Sequence, residues 1–163
     1  MHFCKTPLFV AALGAAIFRG FHTDTLTVEL RDYTTRAMQA ELYPCPCCGH
    51  CVFAEPPGSE DICLVCFWED DLEQLRWPNL GGLTNTVSLR EGQQNRAKFG
   101  AIEERFAGDV RPAGADEPLD PSWRPIDDSD PFEGPDDSAP WPEDRTALYY
   151  WRPTYWRRAT PSA

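Results

Sequence analysis

Two short cysteine pairs constrain this chain more than anything else in it. Cys45 and Cys48 form one Cys-x-x-Cys unit, Cys63 and Cys66 form another, and 14 residues separate them. A two-residue spacer turns the backbone so that both sulfurs of a pair can face one ion at about 2.3 Å, and two such pairs supply the four thiolates of a tetrahedral structural zinc. The separation falls just short of the usual window of about 15–20 residues. The spacing therefore assigns Cys45, Cys48, Cys63 and Cys66 as ligands of one structural Zn2+. Of the other cysteines in this stretch, Cys47 lies inside the first pair, and Cys51 could replace Cys45 because it stands at the same two-residue spacing from Cys48. His50 is near enough to reach a metal, although a histidine beside a turn is more often exposed or bonded to backbone.

The residues around the pairs predict a small α+β fold, a zinc-ribbon-like β-hairpin packed against one or two helices, with extended acidic and aromatic C-terminal segments. Residues 52–54 and 61–63 are the expected strands, joined through Pro56, Pro57 and Gly58, which suit a turn and not a strand interior. Gly49, directly after Cys48, suits a left-handed turn. Phe67 and Trp68 are expected to leave the second pair in extended form and cover the metal. Glu69, Asp70, Asp71 and Glu73 read as helix-capping carboxylates ahead of residues 72–75, with a hard-cation site as the weaker alternative. Ser88 followed by Glu91 is a capping box, and the helix it starts is expected to run to about Phe106, where Gly108 stops it. The loop 78–85 lacks the glycine pattern and the lysine of a phosphate cradle.

Charge divides the 163 residues and narrows the partners. The net charge is -11, and residues 106–144 alone hold twelve Asp and Glu against two Arg, whereas residues 145–163 carry four Arg and no acid. An acidic body repels phosphate backbones, so nucleic acid is disfavoured as a partner. The chain divides into an N-terminal extension (1–41), a cysteine-rich zinc-binding domain (42–107), an acidic proline-rich linker (108–147) and an aromatic-basic segment (148–163). The linker should be extended or disordered unless it lies along the folded body. The final segment, with Tyr149, Tyr150, Trp151, Tyr155 and Trp156, is expected to dock on the domain and bury Trp151 and Trp156; base stacking is its alternative use.

The N-terminal 41 residues hold an apolar run at 8–18. It is too short to span a bilayer and is followed by no small-x-small cleavage site, so no membrane partner is expected. Met38 stands as an alternative start just before the first cysteine pair. The paired, odd-numbered cysteines favour reduced thiols and a cytoplasmic location.

The motifs CPCCG at 45–49 and ICLVCFWEDD at 62–71, with GG-x-x-N-x-x-SL at 81–89 in support, resemble the cysteine-rich CPCC family of small, mainly bacterial proteins of unknown function. The resemblance covers roughly residues 42–126. It implies a metal-binding module and carries no established activity. Residues 1–37 fall outside the pattern, and Cys51 departs from it, which favours Cys45 as the ligand. The function that follows is a noncatalytic zinc protein that acts by binding another protein. The competing readings are a thiol- or metal-dependent enzyme using Cys47, and nucleic-acid binding through the C-terminal segment.

Overall fold

A computed structural model describes residues 42–136, 138 and 140–156 of the chain. The expectations for residues 1–41, and for the aromatic-basic segment beyond residue 156, lie outside the described residues. Strand β1 (Tyr43–Pro44) pairs antiparallel with β2 (Cys51–Phe53), Tyr43 opposite Phe53 and Pro44 opposite Cys51, with an irregular register between Tyr43 and Pro44. Pro44 has no N–H to give to a ladder, so it stands where pairing is already broken.

The hairpin therefore brackets the first cysteine pair instead of joining the two pairs. Residues 61–63 do not pair with residues 52–54 as expected. Ile62 instead bridges Glu69, closing a second small turn around the second pair. The reason is local: each Cys-x-x-Cys turn reverses the chain by itself, so its flanking residues meet one another before they can reach the other pair.

Two helices complete the small α+β unit. Helix α1 (Leu72–Arg76) starts at Asp71, whose Oδ1 accepts the amide protons of Glu73 and Gln74, as a helix N-cap should. Helix α2 (Leu89–Phe99) opens with the capping box of Ser88 and Glu91, both reciprocal bonds being present. It ends earlier than expected. Gly100 adopts the left-handed conformation at φ 84° and stops the helix there, and residues Glu104–Phe106 form a separate 3-10 turn.

The core runs from the four paired cysteines through Phe53, Trp68, Leu75, Leu89 and Ile102 to the C-terminal aromatics. Leu148, Tyr149, Tyr150 and Trp151 are buried, so this part of the aromatic segment packs on the domain; Trp156 is half-buried. Fully burying each such side chain contributes roughly 1.5–3 kcal/mol, well above what an exposed ion pair supplies. Arg76, itself buried, pairs with Glu133 at 3.1 Å, and its guanidinium lies 4.4–5.0 Å from the ring centroids of Trp141, Trp156 and Trp77. Residues 108–136 contain no helix, and they run along the body through a series of turns. Leu119 bridges His50, and Asp128 meets Arg90 at 3.0 Å.

Candidate metal centre

Both cysteine pairs are held by the same backbone bonds. In the first turn the Cys45 amide donates to the His50 carbonyl at 2.8 Å, and the Gly49 amide donates to the Cys45 carbonyl at 2.8 Å. In the second, the Cys63 amide donates to the Trp68 carbonyl at 2.8 Å and the Phe67 amide to the Cys63 carbonyl at 2.7 Å. Each turn needs a left-handed residue directly after its second cysteine, and Gly49 (φ 78°) and Phe67 (φ 68°) occupy those places. Phe67 thus does not leave the pair in extended form. Its ring stacks on Phe106 with centroids 4.0 Å apart, a contact that offsets the cost of holding a bulky residue at positive φ.

These turns bring four sulfurs together. The Sγ atoms of Cys45, Cys48, Cys63 and Cys66 all lie within 4.8 Å of one another, a grouping that could hold a metal ion. Cys45 Sγ is 3.6 Å from Cys66 Sγ, and Cys48 Sγ is 3.7 Å from Cys63 Sγ. A regular tetrahedron with metal–sulfur bonds of about 2.3 Å has edges of about 3.8 Å, so the two close approaches across the pairs have the length a tetrahedral ion requires. All four residues are at most 1% exposed.

The electrostatics of the quartet point the same way. Burial pushes the Cys45 and Cys66 thiols well up, while hydrogen bonds from the thiols of Cys45, Cys48 and Cys66 pull Cys63 down. Cys63 is thereby favoured as thiolate over Cys45 and Cys66, because a second uncompensated charge in this dry site is costly. A divalent cation removes that cost. Thiolate donors select soft or borderline metals such as zinc over calcium or magnesium.

The remaining candidates fall outside the quartet. Cys47 is fully buried and burial raises its pKa, so it lacks the exposure and thiolate character of a nucleophile. Cys51 lies buried in β2 and outside the group of four sulfurs, which removes it as an alternative to Cys45. The His50 ring is occupied by backbone: its Nδ1 lies 2.9 Å from the Glu117 carbonyl oxygen. In the acidic run, Asp71 caps α1, and Asp70 accepts from the Gly58 and Ser59 amides and the Ser59 hydroxyl. Burial still raises the Asp70 pKa against those bonds.

Two buried glutamines carry more of the structure than their sequence context announces. Gln74 Nε2 donates to the carbonyls of Leu80, Asn85 and Val87, closing the loop between the helices. Gln93 Nε2 donates to the carbonyl of Pro46, inside the first cysteine turn, at 2.8 Å. Position 93 stands one turn after the capping-box Ser88 and Leu89 on the inward face of α2, and that periodicity was the available signal. Nearby, Gly92 faces the Trp68 ring, and a side-chain carbon there would sit in ordinary contact with it at 3.5 Å.

Residues 43–117 match the model of a protein family described as Cysteine-rich CPCC. No curated protein and no solved structure matches the chain.

Proposed function

We propose that the protein, whose residues 43–117 match the cysteine-rich CPCC family, is a noncatalytic zinc module that acts by binding another protein. Cys45, Cys48, Cys63 and Cys66 would hold one Zn2+, which supplies a cross-link between the two turns. The observation that carries this reading is the quartet itself, four sulfurs within 4.8 Å of one another at no more than 1% exposure. Four thiolates complete a tetrahedral sphere and leave no place for a reacting water, which is the mark of a structural site.

Against the enzyme alternative stands the burial of Cys47. Against base stacking stands the packing of Tyr149, Tyr150 and Trp151 into the core, where their faces are already covered. Binding is the remaining reading, and the second turn offers apolar surface for it. Ile62 and Leu64, on either side of Cys63, are 47% and 53% exposed. No helix among the described residues is long and apolar enough to cross a membrane.

The test is a chelator titration of the full chain followed by near-ultraviolet circular dichroism. Removal of zinc is expected to abolish the aromatic signal, since zinc–thiolate binding supplies about 10 kcal/mol or more to such folds. An unchanged signal in the fully stripped protein would contradict a structural metal.

A further inference from the structure

The two cysteine turns are alike in their internal bonds but are supported from different parts of the chain. The second turn is held by the Ile102 amide on the Cys66 carbonyl at 2.9 Å and the Arg111 amide on the Leu64 carbonyl at 3.0 Å. Both donors lie inside the matched residues 43–117. The first turn takes most of its support from beyond residue 117. Its Cys51 amide donates to the Pro118 carbonyl at 2.9 Å, and the Asp120 amide donates to the Gly49 carbonyl at 2.8 Å. Trp123 Nε1 donates to the Pro46 carbonyl at 3.1 Å.

Gln93 joins this support to the helix. Its Nε2 donates both to the Pro46 carbonyl and to Tyr150 Oη at 2.9 Å, and its Oε1 accepts the Ile126 amide at 2.7 Å. Tyr150 Oη in turn donates to the Arg124 carbonyl at 2.6 Å. One side chain, 7% exposed, therefore ties the first cysteine turn to the acidic segment and to the C-terminal aromatics.

We infer that residues 118–126 and Tyr150 are part of the metal centre in this chain, and that Gln93 is the positioning residue that holds Cys45 and Cys48 in place for the ion. The inference rests on the reading of the quartet as a metal site. The Pro46 carbonyl lies between the two ligands of its pair, so fixing it fixes the direction in which both sulfurs point. Partners of this kind, bonded to ligand-bearing backbone and not to metal, govern how tightly a site keeps its ion. The acidic segment is then a clasp, and its loss would act on metal retention at the first pair before the second.

The full chain loaded with Zn2+, or with Co2+ as a spectroscopic probe, tests this through the rate of zinc transfer to a chelator and the Co2+ absorption spectrum. Gln93→Leu is expected to speed zinc release by about tenfold or more, the lower range for loss of a supporting partner, and to shift the Co2+ bands. Gln74→Leu removes a still more buried glutamine with no direct bond to either cysteine turn, and is expected to lower stability while leaving both readouts as in the unaltered chain. Trp123→Phe removes the second donor to Pro46 and trims the ring packed on Gly49, and is expected to speed release by a smaller factor; it carries the test if Gln93→Leu does not fold. Release at the unaltered rate in Gln93→Leu or, where that variant does not fold, in Trp123→Phe would overturn the inference while leaving the metal site intact. An unaltered chain that takes up neither ion would overturn the underlying reading and the inference with it.

Discussion

Gly49 and Phe67 hold the same left-handed place in the two cysteine turns, at φ 78° and 68°, and the surroundings treat them oppositely. A side-chain carbon at Gly49 would sit 2.5 Å from the Trp123 ring, so that site is closed to any side chain. At Phe67 the side chain is used, stacked on Phe106. Gly49→Ala is therefore expected to cost about 2 kcal/mol or more, by adding overpacking to backbone strain. Phe67→Ala loses the stack and keeps the strain, so Phe67→Gly, which relieves the strain, should be the milder change. Denaturant unfolding of the zinc-loaded variants gives the order directly.

The docking of the C-terminal segment depends on apolar burial more than on charge. Trp151 is 7% exposed and packs on Tyr149 and Tyr150, with centroids 4.7 and 4.9 Å away. Trp151→Ala should cost about 3–5 kcal/mol, as large-to-small changes in a packed core do. Stability of the unaltered chain should change little between low and high salt, since exposed ion pairs contribute under about 1 kcal/mol each. A steep fall in melting temperature with salt would show that charge carries the docking.

Asp120 makes that docking pH-dependent. Burial acts to raise its pKa, but hydrogen bonds from Ser122, Arg152 and Trp151 outweigh it and hold the carboxyl below the usual range. A carboxyl lowered by folding contributes stability that is complete above its unfolded value of about 3.9 and is lost as pH falls through the folded value. The stability deficit of Asp120→Asn relative to the unaltered chain should thus be constant from neutral pH down to about 5 and shrink below about 4. Taking the difference between the two proteins removes the acid-driven loss of metal common to both. A deficit that grows on acidification would reverse the assigned sign.

How much of this could be read from the residues depended on the range of the interaction. The Cys-x-x-Cys spacing identified the four sulfurs that meet, because a two-residue turn is a local device. The capping box of Ser88 and Glu91 likewise placed the start of α2. Its end is not legible in the same way: Gly108 is the expected stop, and only the structure shows that Gly100 takes the left-handed conformation first. The left-handed conformation of Phe67 is not legible because bulky residues rarely adopt positive φ; the Phe106 ring that supports it is remote in sequence. Gln93 escaped notice for the same reason, its partners at Pro46, Ile126 and Tyr150 being brought together only by the folded chain.

Metal content of the purified full chain, set beside that of Cys63→Ser, tests the central claim most directly. The account predicts one zinc per chain, with that content lost or sharply reduced in the variant, because Cys63 supplies one of four sulfurs that lie within 4.8 Å of one another and three thiolates leave a tetrahedral site open. A chain that carries no zinc, or a Cys63→Ser variant that keeps its full complement, would contradict it.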